Sequence, residues 1–163
     1  MRPRVPVDER STSGIAGSDM PGPFTRLWAV PRLETLAEVA ELVQILAPVY
    51  VRFSAGPEAD RVTVSRDHES GCVMPGLSVN PMTPEAWWTR PVEHWVARQL
   101  NQYAHLMVRD RFPWLLTGEV SAHGPDCEPL LVCVTPVASI VPHVVDEAAA
   151  IYAQVFAPGA DGT

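Results

Sequence analysis

The chain has no lysine: all 12 basic residues among its 163 are arginine. This removes Schiff-base and other lysine-centred catalysis. Basic charge is also scarce against 19 acidic residues, giving a net charge of −7. An acidic balance argues against nonspecific binding to nucleic acid or to an anionic membrane, both of which need a basic patch. Cysteine is limited to Cys72, Cys127 and Cys133, with no C-x-x-C pair, so a disulfide framework is not expected and reduced thiols fit a cytoplasmic protein. No apolar run approaches the roughly 18 residues of a membrane span, and no secretory-type apolar segment follows the N-terminal arginines. Glycine-rich phosphate loops of the G-x-G-x-x-G and G-x-x-x-x-G-K types are missing, as is a G-x-S-x-G elbow. His123, Cys127 and Cys133 lie near one another in sequence, but their spacing fits no standard zinc pattern, so no metal is expected.

What is present is an ordinary globular composition, 47% hydrophobic, on a length that suits a single domain. Residues 1–23, rich in Pro, Gly, Ser and charge, read as a disordered tail. Residues 24–158 read as one globular domain, and residues 159–163 as a frayed end. Thr35-Leu-Ala-Glu38 matches a capping box, and Leu36, Val39, Ala40, Val43 and Leu46 form one helical stripe after it. The run VYVRFS alternates: Val49, Val51 and Phe53 face one way, Tyr50, Arg52 and Ser54 the other. Residues 61–65 suggest a short strand, and so does GLSVNP. Thr83-Pro84-Glu85 signals a helix start. A longer helix is expected over 91–107, with Trp95, Val96 and Leu100 on its apolar side and Trp87 and Trp88 at the core or its rim. Strands follow over 114–122 and 129–140, then a helix from Pro142. The pattern predicts an α+β fold with three main helices and a mainly antiparallel sheet.

Three groups of residues carry candidate chemistry. Arg52, with Tyr50 and Ser54, either lines a cleft or sits at the surface with a local carboxylate partner. Asp67, His68 and Glu69 lie in a long irregular segment, and a histidine between carboxylates suits acid–base work on a small metabolite. Asp126-Cys-Glu128 places two carboxylates on one face if the backbone is extended. Among the thiols, Cys72 and Cys133 have apolar neighbours and read as packing residues, whereas Cys127 sits in a polar turn. Trp87, Trp88 and the arginine-rich loop are also suited to anchoring a partner protein.

The segments YVRFSAGPEADR, SRDHESG, PGLSVNP, WWTRP, ARQLNQY and GPDCEPLL resemble a family of small proteins of unknown function, DUF6098, from high-GC actinomycete bacteria, over residues 33–156. The order of elements also resembles the ADP-ribosyltransferase fold of the arginine–serine–glutamate type. That resemblance implies an NAD-using transferase or NAD glycohydrolase, with Arg52 gripping the NAD diphosphate, Ser78 ordering the site and Glu128 stabilising a cationic ribosyl transition state. The sequence departs from that pattern at Leu77-Ser-Val79, where S-T-S is usual, and at Asp126-x-Glu128, where a longer first side chain is usual.

Overall fold

The computed structural model describes residues 30–156; the proposed tails at 1–23 and 159–163, and the domain's outermost residues, lie outside them. The first helix, α1 (Leu36–Ile45), follows a two-residue strand, β1 (Arg32–Leu33). The expected capping box forms: the Thr35 hydroxyl accepts the Glu38 amide, and the Glu38 carboxylate accepts the amides of Glu34 and Thr35. A further cap comes from the other end of the chain, where the Glu147 carboxylate accepts the Leu36 amide at 3.0 Å. Glu147 belongs to the last helix, α4 (Pro142–Phe156). Between these lie β2 (Tyr50–Ser54), α2 (Pro57–Val62), the short strands β3 (Leu77–Ser78) and β4 (Asn80–Pro81), α3 (Val92–Gln102), β5 (Phe112–His123) and β6 (Pro129–Ile140).

The strands form one sheet in the order β1-β6-β5-β2-β4, antiparallel except for the parallel β1–β6 pair. β3 pairs with β6, while β4, two residues later, pairs with β2. The segment 77–81 therefore bridges both flanks of the β2–β5–β6 meander and curls the sheet. The fold is α+β and mainly antiparallel, as the sequence pattern predicts, with the short α2 added to the three main helices.

The alternation along β2 is obeyed. Val49, Val51 and Phe53 join α1, α3, α4, Leu115 and Ile140 in the larger core, on the outer face of the curl. Tyr50 packs on the concave face with Val79, Trp114, Leu116 and Leu131. The sheet thus separates a helix-covered core from a smaller inner one, and the polar side chains of β2 face the inner one.

Four sequence expectations fail, each for an identifiable physical reason. Residues 57–62 form a helix instead of leading into a strand, because Pro57 stands at the first helical position and Glu58 and Asp60 fill the first turn. No helix starts at Thr83: its hydroxyl accepts the Val49 amide at 3.1 Å, so it holds the entry to β2 instead of capping a helix. The helix expected over 91–107 stops at Gln102 and passes into a 3-10 turn, Ala104–Leu106. Cys72 and Cys133 are exposed, not packed. Cys133 has φ 52 and stands where the β5–β6 register slips between Thr117 and Glu119; this bulge disturbs the in–out alternation and turns the thiol outward.

Left-handed backbone at a non-glycine residue costs roughly 1 kcal/mol. Cys133→Gly is therefore expected to leave stability unchanged or raise it by up to about 1 kcal/mol in urea melts, despite removing a side chain from a strand.

Candidate functional site in the concave face

Arg52 projects from β2 into the curl. Its Nη1 donates to the Ser78 carbonyl at 2.6 Å, and its Nε lies 2.9 Å from Asp60 Oδ2. The Nε–H does not point along that short vector, so the contact is an ion pair without hydrogen-bond geometry. The same Asp60 oxygen accepts the Ser54 hydroxyl in a short hydrogen bond. Ser54 Oγ in turn accepts Trp114 Nε1–H at 2.9 Å and the Gly56 amide at 3.1 Å. Indole, hydroxyl, carboxylate and guanidinium thus form a continuous chain across β5, β2 and α2. Its side chains are well enclosed: 6% exposure for Asp60 and 18% for Arg52.

Asp60 also lines a cavity of about 360 Å³. The walls come from α2 (Pro57, Arg61), residues 63–65, Met74, Gly76 and Leu77, and the strand residues Trp114, Val134 and Pro136. Apart from Asp60, Arg61, Thr63 and Ser65, these side chains are apolar. One carboxylate oxygen is held by Ser54 and Arg52; among the described residues no donor reaches the other, Oδ1. Gly76 permits the close approach of its segment to β6, since a Cβ there would stand 3.0 Å from backbone atoms of Leu130 and Leu131.

The sequence candidates distribute unevenly around this centre. Arg52 and Ser54 belong to the network, and Tyr50 lines the same inner core. Ser78 takes part through its backbone: its carbonyl accepts Arg52, and its amide donates to Ser65 Oγ at 3.1 Å. Glu128 does not share these contacts. Its carboxylate accepts the Asp126 amide at 3.0 Å within the 124–128 turn. Cys127 there adopts φ 62, so Asp126 and Glu128 do not lie on an extended strand face. Asp67, His68 and Glu69 lie on a loop that turns back on itself through the Arg66–Val73 bridge, and none of them lines the cavity. The Asp67 carboxylate accepts the Ser70 hydroxyl and amide, which hold it below the usual carboxylate range. The residue that sequence reasoning missed is Asp60. The usable signal was Gly-Pro-Glu-x-Asp, a helix start with acids in its first turn.

Trp95 is buried on α3, whereas Trp88 is half-buried and Trp87 is 65% exposed; the three rings stack edge-to-face, with Phe156 against Trp88. Among the described residues no three of His, Cys, Asp and Glu converge as metal ligands, and no helix is long and apolar enough to cross a membrane.

The sequence model of a family of unknown function, DUF6098, matches residues 27–161. The chain belongs to the DUF6098 family. No curated protein and no solved structure matches it. The DUF6098 match spans every element that builds the cavity, so cavity and network both fall inside the family domain.

Burial pushes the Tyr103 phenol above its ordinary value of 10.0, helped by the nearby charges of Asp126 and Glu128. A raised folded-state value means that the stability is fully present below the unfolded value and is lost as pH rises through the folded one. Tyr103→Phe is expected to flatten the fall in melting temperature above about pH 10, measured by circular dichroism against the parent.

Proposed function

We propose that this domain binds a small, largely apolar molecule in the cavity over Asp60, through a neutral hydrogen-bond donor such as a hydroxyl or amide. The observation that carries the reading is a carboxylate at the wall of a largely apolar cavity, with one oxygen fixed and the other without a protein donor among the described residues. Specificity in such sites comes from a few placed polar groups among apolar walls, and the volume lies in the usual range for them. Asp60 already has Arg52 beside it, so a cationic ligand would meet a neutralised pair, whereas a neutral donor would complete the hydrogen bonding. The exposed thiols fit a reducing, cytoplasmic setting.

An NAD-transferase reading built on Arg52, Ser78 and Glu128 has weaker support. It needs a guanidinium available to a diphosphate and a glutamate turned towards it. Here Arg52 is engaged by Asp60 and Ser78, and Glu128 by its own turn. An acid–base role for Asp67, His68 and Glu69 likewise draws no support from this cavity, which none of them lines.

The test is a titration followed by methyl NMR at Met74, Leu77 and Val134, with cyclohexanol, cyclohexylamine and NAD as separate probes. Cyclohexanol is expected to saturate these shifts with a dissociation constant of about 1–10 mM, as suits so few atoms, and more tightly than cyclohexylamine. Val134→Trp, which fills the cavity, should abolish the response while the fold's spectrum persists. Cyclohexanol shifts unaffected by that filling, or a saturable response to NAD alone, would sink the reading.

A further inference from the structure

A second concavity, of about 700 Å³, lies on the other side of Pro57, which lines both. Its floor is apolar: Phe112, Ile140, Val141 and Pro142. Its charged groups are three arginines, Arg32 from β1 and Arg109 and Arg111 from the turn before β5, against a single carboxylate, Asp110. All three arginines are exposed, and none pairs with a carboxylate among the described residues. In a chain of net charge −7, gathering three such guanidiniums around one groove concentrates positive potential where the rest of the surface disfavours it.

The backbone adds an independent observation. Arg109 has φ 30, and the Arg111 amide closes this turn on the Val108 carbonyl at 2.8 Å. Glycine, asparagine or aspartate relax such a position; an arginine there holds its backbone in a sparsely populated region. Residues kept in strained backbone conformations cluster at ligand-binding sites.

We propose that this groove binds a small organic phosphate, whose anion bridges Arg109, Arg111 and Arg32 and whose organic part rests on Phe112 and Pro142. Planar guanidiniums suit phosphate oxygens because each offers two parallel N–H donors. The groove volume fits a small molecule, and its ligand is separate from that of the Asp60 cavity.

The experiment is calorimetric titration of the full chain with pyrophosphate and with phenyl phosphate at low salt. Saturable binding is expected for both, weakening as salt shortens the screening length. Arg109→Gln and Arg111→Gln should each weaken it about tenfold, one hydrogen-bonded charge contact each, while Arg66→Gln, on a distant loop, should not. Arg109→Gly carries the sharper signature: weaker phosphate binding together with a melting temperature unchanged or a few degrees higher, because strain is relieved. Equal affinity in all variants, equal loss in Arg66→Gln, or binding to phosphatidylglycerol vesicles without binding of either soluble probe would overturn the assignment.

Discussion

Asp60→Ala is expected to destabilise the fold by about 2–4 kcal/mol, more than any other single polar substitution in the concave face. Removing one member of an enclosed ion pair leaves the other charge without compensation, a loss of roughly 3–5 kcal/mol in fully buried cases. Arg52 keeps 18% of its side chain exposed, so water screens part of this and lowers the expected loss to about 2–4 kcal/mol. Two further groups lose their anchor, since Ser54 donates to Asp60 and itself receives the Trp114 indole. In a domain of this size the deficit corresponds to a fall in melting temperature of roughly 4–16 °C. Arg52→Met placed on Asp60→Ala should restore more than half of the lost stability, because the stranded charge is then gone. Asp60→Ala within about 1 kcal/mol of the parent would show that the pair is screened and does not organise the inner core.

Gly56→Ala is expected to cost about 3 kcal/mol, for two separable reasons. Gly56 has φ 105 and ψ 174, a region open essentially only to glycine. A Cβ built there would also stand 2.9 Å from the tip of the Phe112 ring, and crowding of this kind costs roughly 1–3 kcal/mol. Gly71→Ala separates the terms: Gly71 also has a positive φ, 69, but nothing lies within 4 Å of its added carbon. It should cost only about 1 kcal/mol. Denaturant melts of the two variants therefore report strain alone and strain plus clash. Gly56 also sets the start of α2, which carries Asp60, so Gly56→Ala should weaken cyclohexanol binding where Gly71→Ala does not.

Legibility in the sequence followed the range of the interaction. The capping box at Thr35 and the alternation of β2 depend on neighbours in the chain, and both are found as the pattern predicts. The alternation places the side chain of Arg52 on the correct face and a local carboxylate is one of its expected partners, yet nothing in the pattern singles out Asp60. Asp60 lies eight positions further on, and only the helical turn after Gly56 folds it back over β2. Thr83 failed as a helix start because its hydroxyl is used by Val49, a long-range contact that no local motif reveals. The exposed thiol of Cys133 follows from a register slip between two strands, which depends on the pairing and not on either strand alone. Ser78 was singled out for its hydroxyl, whereas the network uses its carbonyl and amide, groups every residue possesses.

The measurement that bears most directly on the Asp60 cavity is a set of intermolecular NOEs from bound cyclohexanol. The predicted result is NOEs to the methyl groups of Met74, Leu77 and Val134, with none to the rings of Trp87 and Trp88. NOEs confined to those two tryptophans would contradict the account and place the binding surface on the aromatic cluster instead.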